Sequence, residues 1–335
     1  MSTIPTRIVN ALVTGVGAAS GVGVIKALRR PNDQYNVRVL AVDADLSAPG
    51  RYLAHSFERI PKCSQPDFMP RVLQLCEQHR IEALFPVFSG EIDIFAAHAA
   101  ELAAQGVGTI LAPPENVRLA NDKRRMYQLV QELGIPIPAL VDPNSPDLEF
   151  PLFAKPVTAT GGTGAMPIAD QVDLVYCRTK NPSFIYQRFL KGPEYTVDTL
   201  CDRQSEMVVC SPRLRLATKA GQSVKGRTVH HPALVELCGT ICKTVGMIGP
   251  CNLQFIENGG KLVFIEMNPR YAAGGLSLTV AAGGNIPLLA LKLMLGDPVT
   301  KPSVRSGITM LRYWEEVMLD EENQVLADSR PVALE

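Results

Sequence analysis

Along the first third of the chain, apolar runs of strand length alternate with segments of helical spacing. Residues 8–14 form one run, a glycine-rich turn follows, a helix reaches Arg30, and residues 37–43 and 83–87 make further buried strands. Strand and helix in this order predict an open parallel sheet. The pattern breaks at Ala112-Pro113-Pro114, where a domain edge is expected. Over residues 121–138 the period becomes 3.6. Met126, Leu129, Val130 and Leu133 share a face, Asn121 or Asp122 supplies a cap, and Gly134 and Pro136 end the helix. Its first turn, Lys123, Arg124 and Arg125, opposes the helix dipole, a cost relieved by a nearby anion; Arg124 and Arg125 read as solvated charges. Strands are then expected at 152–155, 184–189, 194–202 and 207–216, a helix at 232–245, a hairpin at 251–267 and a helix near 287–295. This later order is α+β rather than continued winding.

Composition narrows the function without naming it. The chain has 335 residues, enough for two or three packed units. With 33 basic and 33 acidic residues it has no global field to attract nucleic acid or an anionic membrane, so any anion site is local. The apolar stretch 286–295 is too short to span a bilayer, and the N-terminus lacks a signal pattern, so a cytoplasmic protein is expected. Eight cysteines are scattered without a CxxC pair and read as reduced core thiols. Cys238 and Cys242 share a helical face but are too few to hold a metal by themselves.

The informative chemistry lies in Phe264-Ile265-Glu266-Met267-Asn268-Pro269-Arg270. Strand alternation puts Glu266 and Asn268 on one face, with Arg270 continuing it. A carboxylate and an amide oxygen suit magnesium when a nucleotide supplies the other ligands, and an arginine can fork onto phosphate. Glu266 is expected to face solvent. On the partner strand, Asn252 and Gln254 alternate in the same way. Gln254 joins the face of Glu266 only if the numbers of paired residues have an even sum, which requires an odd turn or a bulge; a three-residue turn within Glu257-Asn258-Gly259-Gly260 is expected.

Together with Gln254, this segment resembles the metal and phosphate signature of the ATP-grasp family, nearest to one half of the carbamoyl-phosphate synthase large subunit. The likeness extends over roughly residues 8–300. It implies a Rossmann-like pre-ATP-grasp domain at 1–114 and a two-lobed ATP-grasp domain, with a central lid at 115–185 and a C-terminal part at 186–312, in a fold that combines α/β and α+β. The tail 313–335, with Trp314, has no assigned role.

The resemblance also implies site roles. Lys123, a nucleotide-binding candidate, matches the basic residue that opens the central domain, Lys155 matches the lysine that contacts phosphate and adenine, and the turn containing Thr160, Gly161, Gly162, Thr163 and Gly164 matches the loop that closes over the triphosphate. Gln187, Phe189, Leu190 and Glu194 match the adenosine-binding hinge, although Gln187 stands where the synthase has glutamate. Arg213 and Arg215 match positions near the triphosphate or substrate carboxylate. Metal ligands would be Gln254, Glu266 and Asn268, with two Mg2+ ions or Mn2+ in their place. Arg270 and Lys155 would offset charge on the transferring phosphoryl group. The implied reaction is ATP-dependent carboxylate–amine ligation through an acyl phosphate, on small molecules, in a family where homodimers are habitual. Ser89, Glu91 and Asp93 are candidates for holding a substrate amine.

Two readings compete. Val13-Thr14-Gly15-Val16-Gly17-Ala18-Ala19-Ser20-Gly21 imitates a dinucleotide fingerprint, with Asp43 after it, but Ser20 stands where the strict pattern needs glycine. Tyr176 and Lys180 imitate the pair of short-chain dehydrogenases. A nucleotide-binding module without catalysis is the other.

Overall fold

The computed structural model describes residues 6–158, 164–180, 183–219, 221–313 and 315–326. Strands β1 (Arg7–Val13), β2 (Tyr35–Asp43), β3 (Ser56–Arg59) and β4 (Ala83–Phe85) form a parallel sheet in the order β3-β2-β1-β4. Helices α1 (Ala19–Leu28), α2 (Phe68–Gln78), α3 (Ile92–Ala97) and α4 (Ala99–Ala104) belong to this layer. Gly21 permits its tight first turn, since a Cβ there would lie 2.6 Å from the Gly15 carbonyl oxygen.

Helices α5 (Pro114–Asn121) and α6 (Lys123–Glu132) follow. Asp122 caps α6, its carboxylate accepting from the backbone N–H groups of Arg124 and Arg125 at 2.9 and 3.0 Å. The side chains of both arginines lie at the exposed surface, as the sequence predicts. A small antiparallel sheet, β6-β5-β7, comprises β5 (Leu152–Pro156), β6 (Met166–Ile168) and β7 (Phe184–Arg188), packed against α7 (Gln171–Lys180). The last sheet has six antiparallel strands in the order β12-β11-β8-β9-β10-β13. These are β8 (Glu194–Cys201), β9 (Met207–Lys219), β10 (Gln222–Thr228), β11 (Gly249–Asn258), β12 (Lys261–Asn268) and β13 (Thr309–Leu311). Helix α8 (Pro232–Val245) covers one face; α9 (Leu276–Ala281) and α10 (Ile286–Leu295) return to the first sheet.

The cores do not follow the order of the chain. Met126, Tyr127 and Val130 of α6 share a core with α8, β8, β11 and β12, whereas Leu152, Ala154, Leu174 and Tyr186 form a small core of their own. Among the described residues no helix is long and apolar enough to cross a membrane.

The hairpin departs from expectation. Its turn has two residues, Gly259 and Gly260, with φ of 57° and 74°, because Asn258 pairs with Lys261. Two left-handed residues in succession match the twist of the strands they join. The pairing then shifts between Phe255↔Phe264 and Gln254↔Glu266, leaving Ile265 out of the ladder. This bulge restores the parity that the expected three-residue turn would have supplied.

Candidate active site

Rows of side chains cross the C-terminal sheet on the face opposite α8. Arg213, Thr196, Gln254 and Glu266 occupy one row, and Ser211, Asp198, Asn252 and Asn268 the next. The bulge lets Phe264 and Met267 both enter the α8 core while Glu266 and Asn268 take the other side. A cavity of about 480 Å³ opens there. Of the expected residues it is lined by Lys155, Gln187, Phe189, Leu190, Glu194, Arg213, Arg215, Gln254, Glu266 and Arg270.

Asn268 lies just beneath the lining. Its Nδ2 donates to Glu266 Oε1 at 3.0 Å and to Asn252 Oδ1 at 3.4 Å, and its Oδ1 accepts from Arg270 at 3.4 Å. Asn252 in turn donates to the Arg270 carbonyl at 3.2 Å. Glu266 is not the solvent-facing carboxylate expected: its side chain is 17% exposed, with Lys123 Nζ 3.6 Å away. Lys123 comes to it because α6 packs on β12 with its first residue buried. Gly164 is near Pro156 with φ of 76°, while Thr160, Gly161, Gly162 and Thr163 lie outside the described residues.

The bulge supplies more than parity. The Ile265 carbonyl accepts from Lys155 Nζ at 3.0 Å and lies 3.1 Å from the Tyr127 hydroxyl, which is also 3.1 Å from Gln187 Oε1. The Lys155 ammonium stands 5.0 Å above the Tyr127 ring. Burial pulls the Lys155 pKa down to about 7; Glu266 opposes this shift and Lys123 adds to it. Tyr127 thus ties Lys155 and the bulged Ile265 to Gln187, and sequence reasoning missed it. Its signal was its place four residues after Lys123, on the same helical face.

The two arginines of β9 have different surroundings. Arg213 is buried against Asp198, with Nε to Oδ2 at 3.2 Å and Nη2 to Oδ1 at 3.2 Å, and it donates to Ser223 Oγ at 3.0 Å. Thr279 Oγ1 donates to the same aspartate at 2.7 Å. Arg215 pairs with Glu194 and donates to Gln254 Oε1 at 3.3 Å and to the Gly221 carbonyl at 2.8 Å. Burial lowers the pKa of Arg215 and of Arg270. Among the described residues around the cavity, Lys123, Lys155, Arg213, Arg215 and Arg270 meet three carboxylates, Asp198, Glu194 and Glu266. The chain is neutral overall, so the positive excess is local.

The expected amine-holding group breaks up. Glu91 is buried and its Oε1 is engaged by Thr14 Oγ1 and by the backbone N–H groups of Val87 and Phe88 at 3.0 and 2.9 Å, so it braces the loop after β4 instead. Asp93 sits in the first turn of α3, and Ser89 is half-buried beside it. In the glycine-rich turn, Asp43 accepts from Gly17 N–H at 2.8 Å, so its carboxylate already closes that loop. Tyr176 and Lys180 stack on each other on α7, away from the parallel sheet, which removes the dehydrogenase pair.

A family model for ATP-grasp in the biosynthetic pathway with Ter operon matches residues 180–316, and one for a PylC-like N-terminal domain matches residues 12–110. The carbamoyl phosphate synthase large chain of Clostridium beijerinckii is 26% identical over 248 residues, covering 67% of this chain and 23% of that protein. The chain therefore spans about a quarter of the length of this relative. It carries an ATP-grasp domain. Solved structures share the fold at low identity. The L-amino acid ligase of Bacillus licheniformis superposes with a TM-score of 0.65 at 16% identity, covering 90% of this chain and 76% of that one. The N5-carboxyaminoimidazole synthetase of Staphylococcus aureus, complexed with ADP, gives 0.68 at 15% identity, covering 91% and 82%. The ATP-grasp domain thus accounts for the C-terminal sheet that carries Glu266 and Asn268, and the PylC-like match falls on the first sheet.

Proposed function

We propose that this chain is an ATP-dependent ligase joining a carboxylate to an amine through an acyl phosphate, with release of ADP and phosphate. The observation that carries this reading is one cavity lined both by oxygen donors and cations, Glu266, Gln254, Lys155, Arg215 and Arg270, and by Gln187, Phe189 and Leu190. Glu266, Asn268 and Gln254 offer a carboxylate and two amide oxygens, a donor set suited to magnesium that shares its shell with phosphates. Two Mg2+ ions, or Mn2+ in substitution, would neutralise phosphate oxygens there.

In this reading Lys155, Lys123 and Arg270 hold the phosphates, and Arg270 and Lys155 also face charge developing during phosphoryl transfer. The loop Thr160, Gly161, Gly162, Thr163 and Gly164 covers them. Gln187, Phe189 and Leu190 hold the base, and Glu194 takes the ribose once it exchanges its contact with Arg215. Arg215 meets the substrate carboxylate, while Arg213, engaged by Asp198, positions β9 beside it. The carboxylate oxygen attacks the terminal phosphorus and ADP leaves. Amine nitrogen then attacks the acyl carbon and phosphate leaves. The protein would act in the cytoplasm, as a homodimer, on small molecules.

The test is ADP and phosphate release from purified protein with MgATP across a panel of carboxylates and amines. ADP formation that needs both substrates is the expected result. Nucleotide binding without ADP formation throughout the panel would mark a binding module, and thermal stabilisation by a nicotinamide nucleotide but not by MgATP would mark an oxidoreductase.

A further inference from the structure

Five of the eight cysteines meet where α8 covers the sheet, on the face turned away from the cavity. Cys201 belongs to β8, Cys210 to β9 and Cys251 to β11, and Cys238 and Cys242 belong to α8. The Sγ atoms of Cys201, Cys242 and Cys251 all lie within 4.8 Å of one another, and those of Cys242 and Cys251 are 3.8 Å apart. All three residues are at most 2% exposed. Cys238 contacts Cys210 instead.

We infer that Cys201, Cys242 and Cys251 form a binding site for a trivalent thiophilic metalloid, with arsenite as the simplest ligand. With bonds about as long as the ~2.3 Å of zinc–sulfur and the pyramidal shape that a lone pair imposes, the sulfurs on a trivalent centre lie about 3.4 Å apart, so the three thiols need to close by about 0.4–1.4 Å. The number of ligands excludes a closed zinc site, which takes four. The nearest further polar group is the Thr199 hydroxyl, 2.7 Å from Cys251 Sγ and 3.1 Å from the Cys251 carbonyl that it bonds.

Charge decides among ions that accept three sulfurs. Among the described residues the groups acting most strongly on these thiols are other thiols, a threonine hydroxyl and Asp202, none of them a cation. Three thiolates around a monovalent or divalent ion would leave net negative charge in an apolar core, at high cost. A trivalent centre leaves none. The exchange is balanced: arsenic trihydroxide and three thiols give a trithiolate and three waters. Three As–O bonds are replaced by As–S bonds, each thiol proton leaves in water, and no atom is oxidised or reduced. Occupancy would pin α8 to β8 and β11, the strands that present Thr196, Asn252 and Gln254 to the cavity.

The inference is independent of the ligase reading. The reduced full chain, equilibrated with sodium arsenite and freed of excess, should retain one arsenic per chain by elemental analysis. Native mass spectrometry should show the mass of one arsenic less three hydrogens, and the melting temperature should rise. Cys242→Ala and Cys251→Ala should lose the arsenic, and Cys177→Ala, buried in the small sheet's core, should keep it. Should the first two variants fail to fold, alkylation of the wild-type chain in mild denaturant tests the same point. Arsenite should then protect Cys201, Cys242 and Cys251 and leave Cys63, Cys76 and Cys177 reactive. No retained arsenic, equal retention in the folded Cys242→Ala and Cys251→Ala variants, protection of other cysteines, or preferential retention of zinc or copper(I) would overturn it.

Discussion

Gln254 stands directly opposite Glu266, although a two-residue turn joins their strands, because Ile265 is left out of the pairing between them. Deleting Ile265 would make the ladder regular and still send Phe264 to the core and Glu266 to the cavity. What disappears is the carbonyl that anchors Lys155 and Tyr127. The deletion variant should keep its far-UV circular dichroism, lose about 1–3 kcal/mol in denaturant unfolding, and show a KM for ATP raised about tenfold or more. A deletion variant with unchanged ATP kinetics would remove the carbonyl from the site's working parts.

Glu266→Gln keeps the shape of the side chain and removes its charge. ADP formation should fall by about a hundredfold or more, with the secondary structure unchanged. Because Lys123 lies 3.6 Å from this carboxylate, a small drop in melting temperature should accompany the loss. Turnover near that of the wild type would contradict the assignment of the metal ligands.

Lys155 titrates near pH 7 in the unliganded protein because burial lowers its pKa to about 7. A triphosphate beside it would raise that value, so binding takes up a proton between the free and bound pKa values. MgATP affinity should therefore weaken as pH rises from about 7 to about 9. Calorimetry at pH 8 in two buffers of different ionisation enthalpy should show proton uptake, absent in Lys155→Met. The same shift acts on stability with its own sign: the folded pKa lies below the unfolded value, the unfolded chain holds more protons between them, and this contribution to stability increases with pH across that window.

Burial raises the pKa of Glu91 to about 7 against the pull of its hydrogen bonds, so between its ordinary value of 4.5 and about 7 the folded chain holds more protons. Its contribution is present at low pH and is lost as pH rises through about 7. Glu91→Gln keeps an oxygen for Val87, Phe88 and Thr14 and cannot ionise. The melting temperature of the variant relative to the wild type should increase from pH 5 to pH 8.5; a constant difference would show that Glu91 does not titrate there.

Gly275 lies against Arg213 so closely that a Cβ would stand 1.9 Å from the guanidinium Nε. Gly275→Ala should push Arg213 off Asp198 and leave a buried carboxylate without its ion partner, at a cost of about 3–5 kcal/mol in urea unfolding. An unaffected midpoint would mean that Arg213 has another place to go.

Local punctuation decided which elements the sequence revealed. Helix α8 is legible to the residue, because Pro232 opens it and Gly246, left-handed at φ 66°, ends it. Helix α6 is nearly as clear through Asp122 and its apolar stripe. Strand β10 is not, since Gln222, Ser223, Lys225 and Arg227 show no apolar alternation; pairing with β9 and β13 makes it a strand. The site divides in the same way. Glu266, Asn268 and Arg270 are contiguous and strongly patterned, whereas nothing in Phe264-Ile265-Glu266 marks which residue leaves the ladder. Glu91 shows the opposite failure: an acidic residue near a loop looks available until the fold surrounds it with donors.

Helices α9 and α10, with Tyr271 just before them, complete the core of the first sheet: Tyr271, Leu276, Ile286 and Leu291 pack with Val13, Ile25, Leu28 and Phe85, and Asn285 bonds the Ala27 carbonyl 258 positions away. During synthesis the opening strands must therefore wait until residues 271–291 have left the ribosome before that face is covered. Throughout that interval the uncovered apolar surface is a ready target for chaperones, and a product truncated before Tyr271 cannot bury it.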